Sequence, residues 1–400
     1  MLIKGYMGAI QDIWLSYGNT ASSLGNVPGS LSAYIIGAPL KIWLSPWAPM
    51  GFLIFLHIGS FLLFDSVIKK IFDPQIRLVF MVIYWLNPWF LFENTLWNPS
   101  YLSFFTALHF WTAFQMQHKK SFLYSFLHLL AIGMAMQLHY SWPILAVISS
   151  FLFYRGIIKI HWLGLITSAV VILISLIPYL QESLINQGIP KNEGNESDGR
   201  YIGWGGVHVY PVLKAFYYWL RYASFLFTNK IVLGASFNAL SANTLVQTVT
   251  LYSWRGLLFA MGGLSLLFTL KANYAAWIKI KPFITRKNAA AELSHEKWLL
   301  LYVVGTLFAV LLSSALSPII FSFWHLLIVF PIALFPVLSF VNDWAKNNEK
   351  KLPKYLLLIF CYFMLVNLVA ANDSKKYSYS LSYSQQAMAY IQEQNLQEPD

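Results

Sequence analysis

The chain has 400 residues, 58% of them hydrophobic and 11% charged, with a mean hydropathy of +0.56 and a formal net charge of +11. Soluble domains run near 25% charged, so an ordinary soluble protein is excluded and the length is better counted in membrane spans of about 20 residues. The positive balance does not call for nucleic acid: no separate basic domain or aromatic-basic module is readable, and excess Lys and Arg hold the cytoplasmic loops of multi-pass proteins in place.

The first 49 residues carry no ordinary span. MLIKGYMGAIQDIWLSYGN lacks a basic n-region followed by an unbroken apolar core, so it is not a signal peptide. Residues 31–45, LSAYIIGAPLKIWLS, are too short and too broken to cross; they predict a helix lying in the interface, with Lys41 and Trp43 as anchors. Apolar runs then fall at 50–67, 78–93, 101–117, 122–138, 141–154, 161–180, 252–270, 298–316, 323–341 and 355–371. In lipid a helix satisfies its own backbone groups, so these runs predict an all-α polytopic membrane protein of ten spans. Residues 1–371 form one transmembrane domain, and 372–400 a polar tail with a short helix at 384–395. Cys361, the one cysteine, lies in an apolar run and reads as a small hydrophobe. With one cysteine, an internal disulfide or Cys-based metal site is excluded.

The loops 68–77, 118–121, 155–160, 271–297 and 342–354 hold 17 of the 27 Lys and Arg residues. The short loops 94–100, 139–140 and 317–322 hold none. The first set is therefore expected to be cytoplasmic, in a plasma or inner membrane. The 94–100 corner, the long 181–251 loop and the C-terminal tail then face outward. Residues 1–49 would also lie outside with no span to carry them there. Either an upstream helix is missing from this chain, the favoured reading, or the short N-terminus is translocated.

In the long loop, QESLINQGIPKNEGNESDGRYIGWGGVHVY reads as mobile or ligand-ordered. PVLKAFYYWLRYASFLF predicts a helix with Pro211 in its first turn and Lys214 and Arg221 on one face. That helix serves as a membrane anchor, or offers a cationic face to a lipid phosphate. No internal repeat, phosphate-binding Gly-rich motif, ATPase or kinase signature is present, so no nucleotide partner is expected. No metal-ligand motif fixes a cofactor, and a divalent metal stays open.

Polar groups near the outer ends of spans are the candidates for chemistry, since they are costly at lipid depth. They are Glu93 and Asn98 at the first outer corner, His139 and Tyr140 at the next, and Arg200, His208, Lys214 and Arg221 in the long loop. His325, opening the 323–341 span, and Asp12 complete them. Each also has a plainer role. Asn98-Pro99-Ser100 suits the start of a helix, Trp97 an interface anchor, His139 a packed histidine and Asp12 a solvated helix face. What favours a site is convergence: three polar corners, one cationic loop and an interfacial segment meet one membrane surface. That geometry suits a lipid-phosphate substrate.

LWNPSYLSFFTAL at 96–108 and GMAMQLHYSWPIL at 133–145 resemble the bacterial membrane glycosyltransferases of the GT-C fold, closest to the protein O-mannosyltransferase-like and aminoarabinose-transferase-like group. The proline-containing NVPGSLSAYIIGAPLKIWL adds to the likeness, which covers roughly residues 26–155 and beyond 180 rests on topology alone. The resemblance implies transfer of a sugar from a polyprenyl-phosphate donor to a lipid, glycan or protein acceptor on the outer face. A carboxylate then acts as general base and cations hold the donor phosphate. In that group the acid follows the first span in an Asp-Glu-like motif, absent here; Asp12 is the sole acid before residue 65. Family members often have Ser-Arg where this chain has Glu93-Asn94, which makes Glu93 the remaining outer base, or the chain a truncated or inactive relative. An O-antigen-type polymerase or ligase is the alternative. A lipid-linked glycan transporter fits less well, because few mid-span charges are visible.

Overall fold

Helices end where Pro or a polar pair interrupts an apolar run. The computed structural model describes residues 3, 5–6, 17–21, 25–93, 95–185, 202–203, 205–224, 243–285, 293–371 and 375–397. A short antiparallel ribbon, β1 (Tyr17–Ala21) and β2 (Gly25–Pro28), precedes α1 (Leu31–Ile42) and α2 (Trp47–Ile68). Asp73 and Pro74 start α3 (Pro74–Trp85). The expected 78–93 span breaks at Asn87-Pro88, where proline cannot continue a helix, into α3 and the six-residue α4 (Pro88–Glu93). A 3-10 turn, Asn98–Tyr101, leads into α5 (Leu102–His118), followed by α6 (Phe122–Met136), α7 (Pro143–Tyr154), α8 (Trp162–Ser175) and α9 (Ile177–Ile185).

The second half holds α10 (Val209–Ser224), α11 (Thr244–Thr285) and α12 (His295–Ala315). A 3-10 segment, Phe323–Val329, then runs into α13 (Phe330–Ala333) and α14 (Phe335–Lys346), and the chain closes with α15 (Leu352–Ala371) and α16 (Lys375–Gln397). Among the described residues five helical stretches are long and apolar enough to cross a membrane: Trp47–Ile68, Thr244–Ile284, His295–Ala315, Phe323–Lys346 and Glu349–Ala371. They match five of the ten expected spans. Of the others, α6, α7 and α8 are apolar but of 12–15 residues, α3 has 12 and α5 has 17. Among the described residues the fold is thus almost entirely helical, one two-stranded ribbon apart, with five stretches long and apolar enough to cross a membrane.

One expected loop is helix. At 42 residues α11 runs about 63 Å at ~1.5 Å per residue, twice the ~30 Å hydrocarbon core. KANYAAWIKIK contains no helix breaker before Pro282, so the helix continues through 271–285.

The bundle has two chemically distinct ends. At one end the Lys- and Arg-bearing segments meet. Arg77 forms a two-pronged pair with Asp65 at 2.9 and 2.6 Å. Lys279 bridges Glu296 at 2.8 Å and Asp343 at 2.5 Å, joining α11, α12 and α14. Arg155 donates to the carbonyls of Phe283 and Ile284. At the other end, Asn98 bonds Leu138, Asn367 bonds Leu86, and the His208 amide bonds the Ala315 carbonyl. The grouping of loops expected from charge is therefore met.

Close approach between α6 and α8 rests on glycine. A Cβ on Gly164 would lie 2.4 Å from the Phe122 carbonyl oxygen, and one on Gly133 would lie 2.3 Å from Ile172 Cδ1. Small residues let helix backbones approach where no hydrophobic force distinguishes protein from lipid.

The centre is α5. Ser103, Thr106, His109 and Thr112 recur every third residue, and all four are buried. A helix turns 100° per residue, so each step of three drifts back about 60°, and the four side chains reach different neighbours. Ser103 bonds His57 Nδ1 of α2 at 2.8 Å. Thr106 donates to the Ile328 carbonyl. His109 bonds Tyr302 of α12 at 2.7 Å and Ser149 of α7 at 2.6 Å. Thr112 bonds His128 of α6 at 3.0 Å, and His128 returns to Ser149 at 2.9 Å.

Candidate functional site

The site lies at the end opposite the Lys-rich one. Trp97 is extended, and the Asn98–Tyr101 turn opens with Pro99 near its start. Asn98, 7% exposed, points away from its own helix and donates through Nδ2 to the Leu138 carbonyl at 2.5 Å. Its side chain thus joins the start of α5 to the end of α6.

The next residue after Leu138 is His139. Its Nδ1 accepts the Ser141 amide at 3.2 Å and lies 2.9 Å from the Ser141 hydroxyl. The His325 ring sits 5.3 Å away, edge to face. His325 opens the 3-10 segment and accepts the Ser322 amide through Nδ1 at 2.9 Å, forming a capping box with Ser322. Each ring accepts through Nδ1, which leaves Nε2–H as the donor of the neutral imidazole. Trp324 meets Trp97 at 6.2 Å, so the 94–100 corner and the start of the 3-10 segment close on each other.

Lys214 completes the group. It stands 5.9 Å from the rings of Tyr210 and Tyr218, while the Arg221 guanidinium stands 5.4 Å from Tyr217 and Tyr218. Tyr218 in turn touches Phe323, 6.4 Å between rings. The helix that carries them, α10, buries Pro211, Ala215 and Trp219 against the bundle, and Trp219 Nε1 donates to Asn273 of α11 at 3.0 Å. Burial lowers the pKa of Lys214. Burial also pushes His139 down to about 3, with the nearby His325 adding to the effect, and pushes Tyr140 up to about 12 with a contribution from Tyr179.

The N-terminal segment comes to the same end. Gly29 has φ +78°, and a Cβ there would lie 2.4 Å from Gln137 Oε1. Glycine alone fits that left-handed turn without strain. It sets the NVPGS stretch beside Gln137, two residues before His139.

Of the residues expected from sequence, Asn98, His139, His325 and Lys214 fall into this one neighbourhood, and Arg221 lies two turns further along α10 against Tyr217 and Tyr218. Tyr140 adjoins His139. His208 sits on the loop over α12, bonded to the Gly203 carbonyl at 3.2 Å and through its amide to Ala315; those bonds do not reach the histidine pair. Glu93 ends α4 at this same end, but its side chain lies outside the described residues, as do Asp12 and Arg200 entirely. Among the described residues no group of three His, Cys, Asp or Glu side chains could hold a metal ion.

The buried His109–His128 cluster was not foreseen as a site. Its signal was present, four polar residues at a spacing of three inside an apolar run. No protein-family model matches the chain, and neither a curated protein nor a solved structure does.

Proposed function

We propose that the chain is a membrane glycosyltransferase that takes a sugar from a polyprenyl-phosphate donor at this corner, with the Lys-rich end in the cytoplasm. The supporting observation is convergence: Asn98, His139, His325 and Lys214, contributed by four separated segments, gather at the Lys-poor end. Lys214, Arg221 and two Nε2–H donors supply the cation and hydrogen bonds that a donor phosphate needs. The prenyl chain lies among the apolar helices.

In the reaction an acceptor hydroxyl attacks the anomeric carbon. The carbon–oxygen bond to phosphate breaks, and the phosphate leaves with the electron pair, stabilised by Lys214 and the imidazole donors. The acceptor proton passes to a carboxylate base, the role assigned to Glu93, with Asp12 the second candidate. No nucleotide takes part.

The test supplies polyprenyl-phosphate sugar and membrane acceptor to purified protein, both as this chain and extended upstream, and measures free polyprenyl phosphate. Release by either form supports the reading; release by neither overturns it. A transporter would use polar side chains at mid-depth. The His109–His128 cluster stands there, yet its hydrogen bonds run between side chains and carbonyls of the bundle, which favours a helix lock.

A further inference from the structure

At the Lys-rich end four segments far apart in sequence meet around the ring of Phe114. Lys70 Nζ stands 5.1 Å from its centroid. His118 and His295 pack edge-on to it at 5.2 and 5.3 Å, and to each other at 5.4 Å. His295 Nδ1 donates to the Lys70 carbonyl at 3.3 Å, which fixes its ring. Lys159 donates its amide to the Met116 carbonyl and its ammonium to the His118 carbonyl at 3.4 Å. Lys70, His118 and Lys159 are exposed and His295 is half-buried.

The charges that act on His118 are all positive. Its pKa is lowered first by partial burial, then by His295, Lys70 and Lys159. Three of the described carboxylates of this end are engaged elsewhere, and no carboxylate is among the charges acting on His118. Asp65 holds Arg77, Glu296 holds Lys279 and accepts from Ser339, and Asp343 holds Lys279 and Lys346. Cations that repel one another in a fixed arrangement, with donors turned to solvent, form a receptor for a multivalent oxyanion. Apolar surface runs up to it: Phe122 and Leu123 start α6, and Trp162 and Leu163 start α8, all four exposed. Phosphate beside acyl chains is the chemistry of a lipid headgroup, and basic pockets between helices on the cytoplasmic side bind such headgroups.

We infer that the Lys70–His118–Lys159–His295 corner binds the phosphate of an acidic phospholipid of the cytoplasmic leaflet. The inference rests on the orientation drawn from charge and not on the transferase reading. A bound phosphate stabilises protonated His118, so binding tightens as pH falls.

The test places the full chain in nanodiscs of phosphatidylcholine, with or without phosphatidylglycerol, and counts retained lipids by native mass spectrometry while NMR follows the His118 ring. Retention of phosphatidylglycerol over phosphatidylcholine is expected, weakened roughly fivefold by each of Lys70→Gln and Lys159→Gln. The double variant Lys119→Gln/Lys120→Gln, in the same loop but off the Phe114 cluster, should keep the preference. His118 should titrate at higher pH with phosphatidylglycerol present. Equal retention of both lipids, or equal loss in the control variant, overturns the inference. An equal His118 shift with inorganic phosphate alone assigns the corner to a soluble anion and overturns the lipid as occupant. None of these outcomes involves sugar transfer.

Discussion

His109 and His128 stack face to face, ring centroids 4.1 Å apart and 27° from parallel, and both bond the single hydroxyl of Ser149. Ser149 spends its one proton on the Leu145 carbonyl at 2.8 Å, so both imidazoles must donate to it through Nε2. Tyr302 then donates to His109 Nδ1, and Thr112, whose hydroxyl also donates to the Leu108 carbonyl at 2.8 Å, faces His128 Nδ1 at 3.0 Å. Each of the four ring nitrogens has a hydroxyl within 3.0 Å. Nitrogen NMR should show two neutral Nε2–H tautomers. Ser149→Ala leaves two buried N–H donors without acceptors, at about 1–3 kcal/mol each, and should lower the melting temperature in detergent well beyond Ser150→Ala, whose hydroxyl is exposed and bonded to the Ala146 carbonyl. Equal melting of the two variants would show that the cluster does not hold α5, α6, α7 and α12 together.

Asn98 to Leu138 is the joint between the 94–100 and 139–140 corners. Asn98→Ala leaves a buried carbonyl unpaired, a loss of about 1–3 kcal/mol. Asn98→Asp should cost more, because a carboxylate cannot donate and repels the carbonyl it faces. Thermal unfolding should therefore rank wild type above Asn98→Ala above Asn98→Asp. An aspartate variant as stable as wild type would contradict the joint.

The pH dependence follows from His139. Its pKa falls from 6.5 to about 3 on folding, chiefly through burial. The unfolded chain therefore binds the extra proton first as pH drops. The neutral folded ring has no effect on stability above pH ~6.5, and stability is lost progressively from there toward pH ~3. In His139→Asn that loss should be smaller, seen as a flatter dependence of unfolding on pH between 7 and 4.5, roughly the window where the two protonation curves part. Parallel dependences for the two proteins would mean that folding does not lower the pKa of this ring.

Gly164 and Gly133 separate two kinds of crowding. The atom facing a Cβ at Gly164 is the backbone oxygen of Phe122, which moves only with its helix, whereas the one at Gly133 is the tip of Ile172. Gly164→Ala should exceed Gly133→Ala in cost, the latter falling within about 1–3 kcal/mol as overpacking does. Thermal melts of both variants decide, and the reverse order would place the α6–α8 contact elsewhere.

Much of this fold was legible in the apolar runs and in the distribution of lysine. The ends of α2, α6, α7, α12 and α15 follow Pro, Ser and basic residues closely, and the grouping of loops at two ends follows from charge. The break of 78–93 at Asn87-Pro88 was written in the proline but outweighed by the apolar residues on either side. Continuation of α11 through 271–285 was hidden because its lysines look like a loop; in the fold Lys279 is neutralised by Glu296 and Asp343 from two other helices. Asn98, His139 and His325 were each visible as polar residues at span ends, while their meeting is tertiary. His109 and His128 were missed for the same reason. A histidine within an apolar run has no meaning until the helix bearing its partner is known.

The central claim is that the corner of Asn98, His139, His325 and Lys214 receives a polyprenyl phosphate. A photoreactive polyprenyl-phosphate analogue, activated on the protein in membranes and mapped by mass spectrometry, tests it most directly. The account predicts labelling within 96–101, 138–141, 210–221 and 321–325, reduced by Lys214→Ala and competed by unlabelled polyprenyl phosphate. Labelling confined to the Lys-rich end, or unchanged by Lys214→Ala and by competitor, would contradict it.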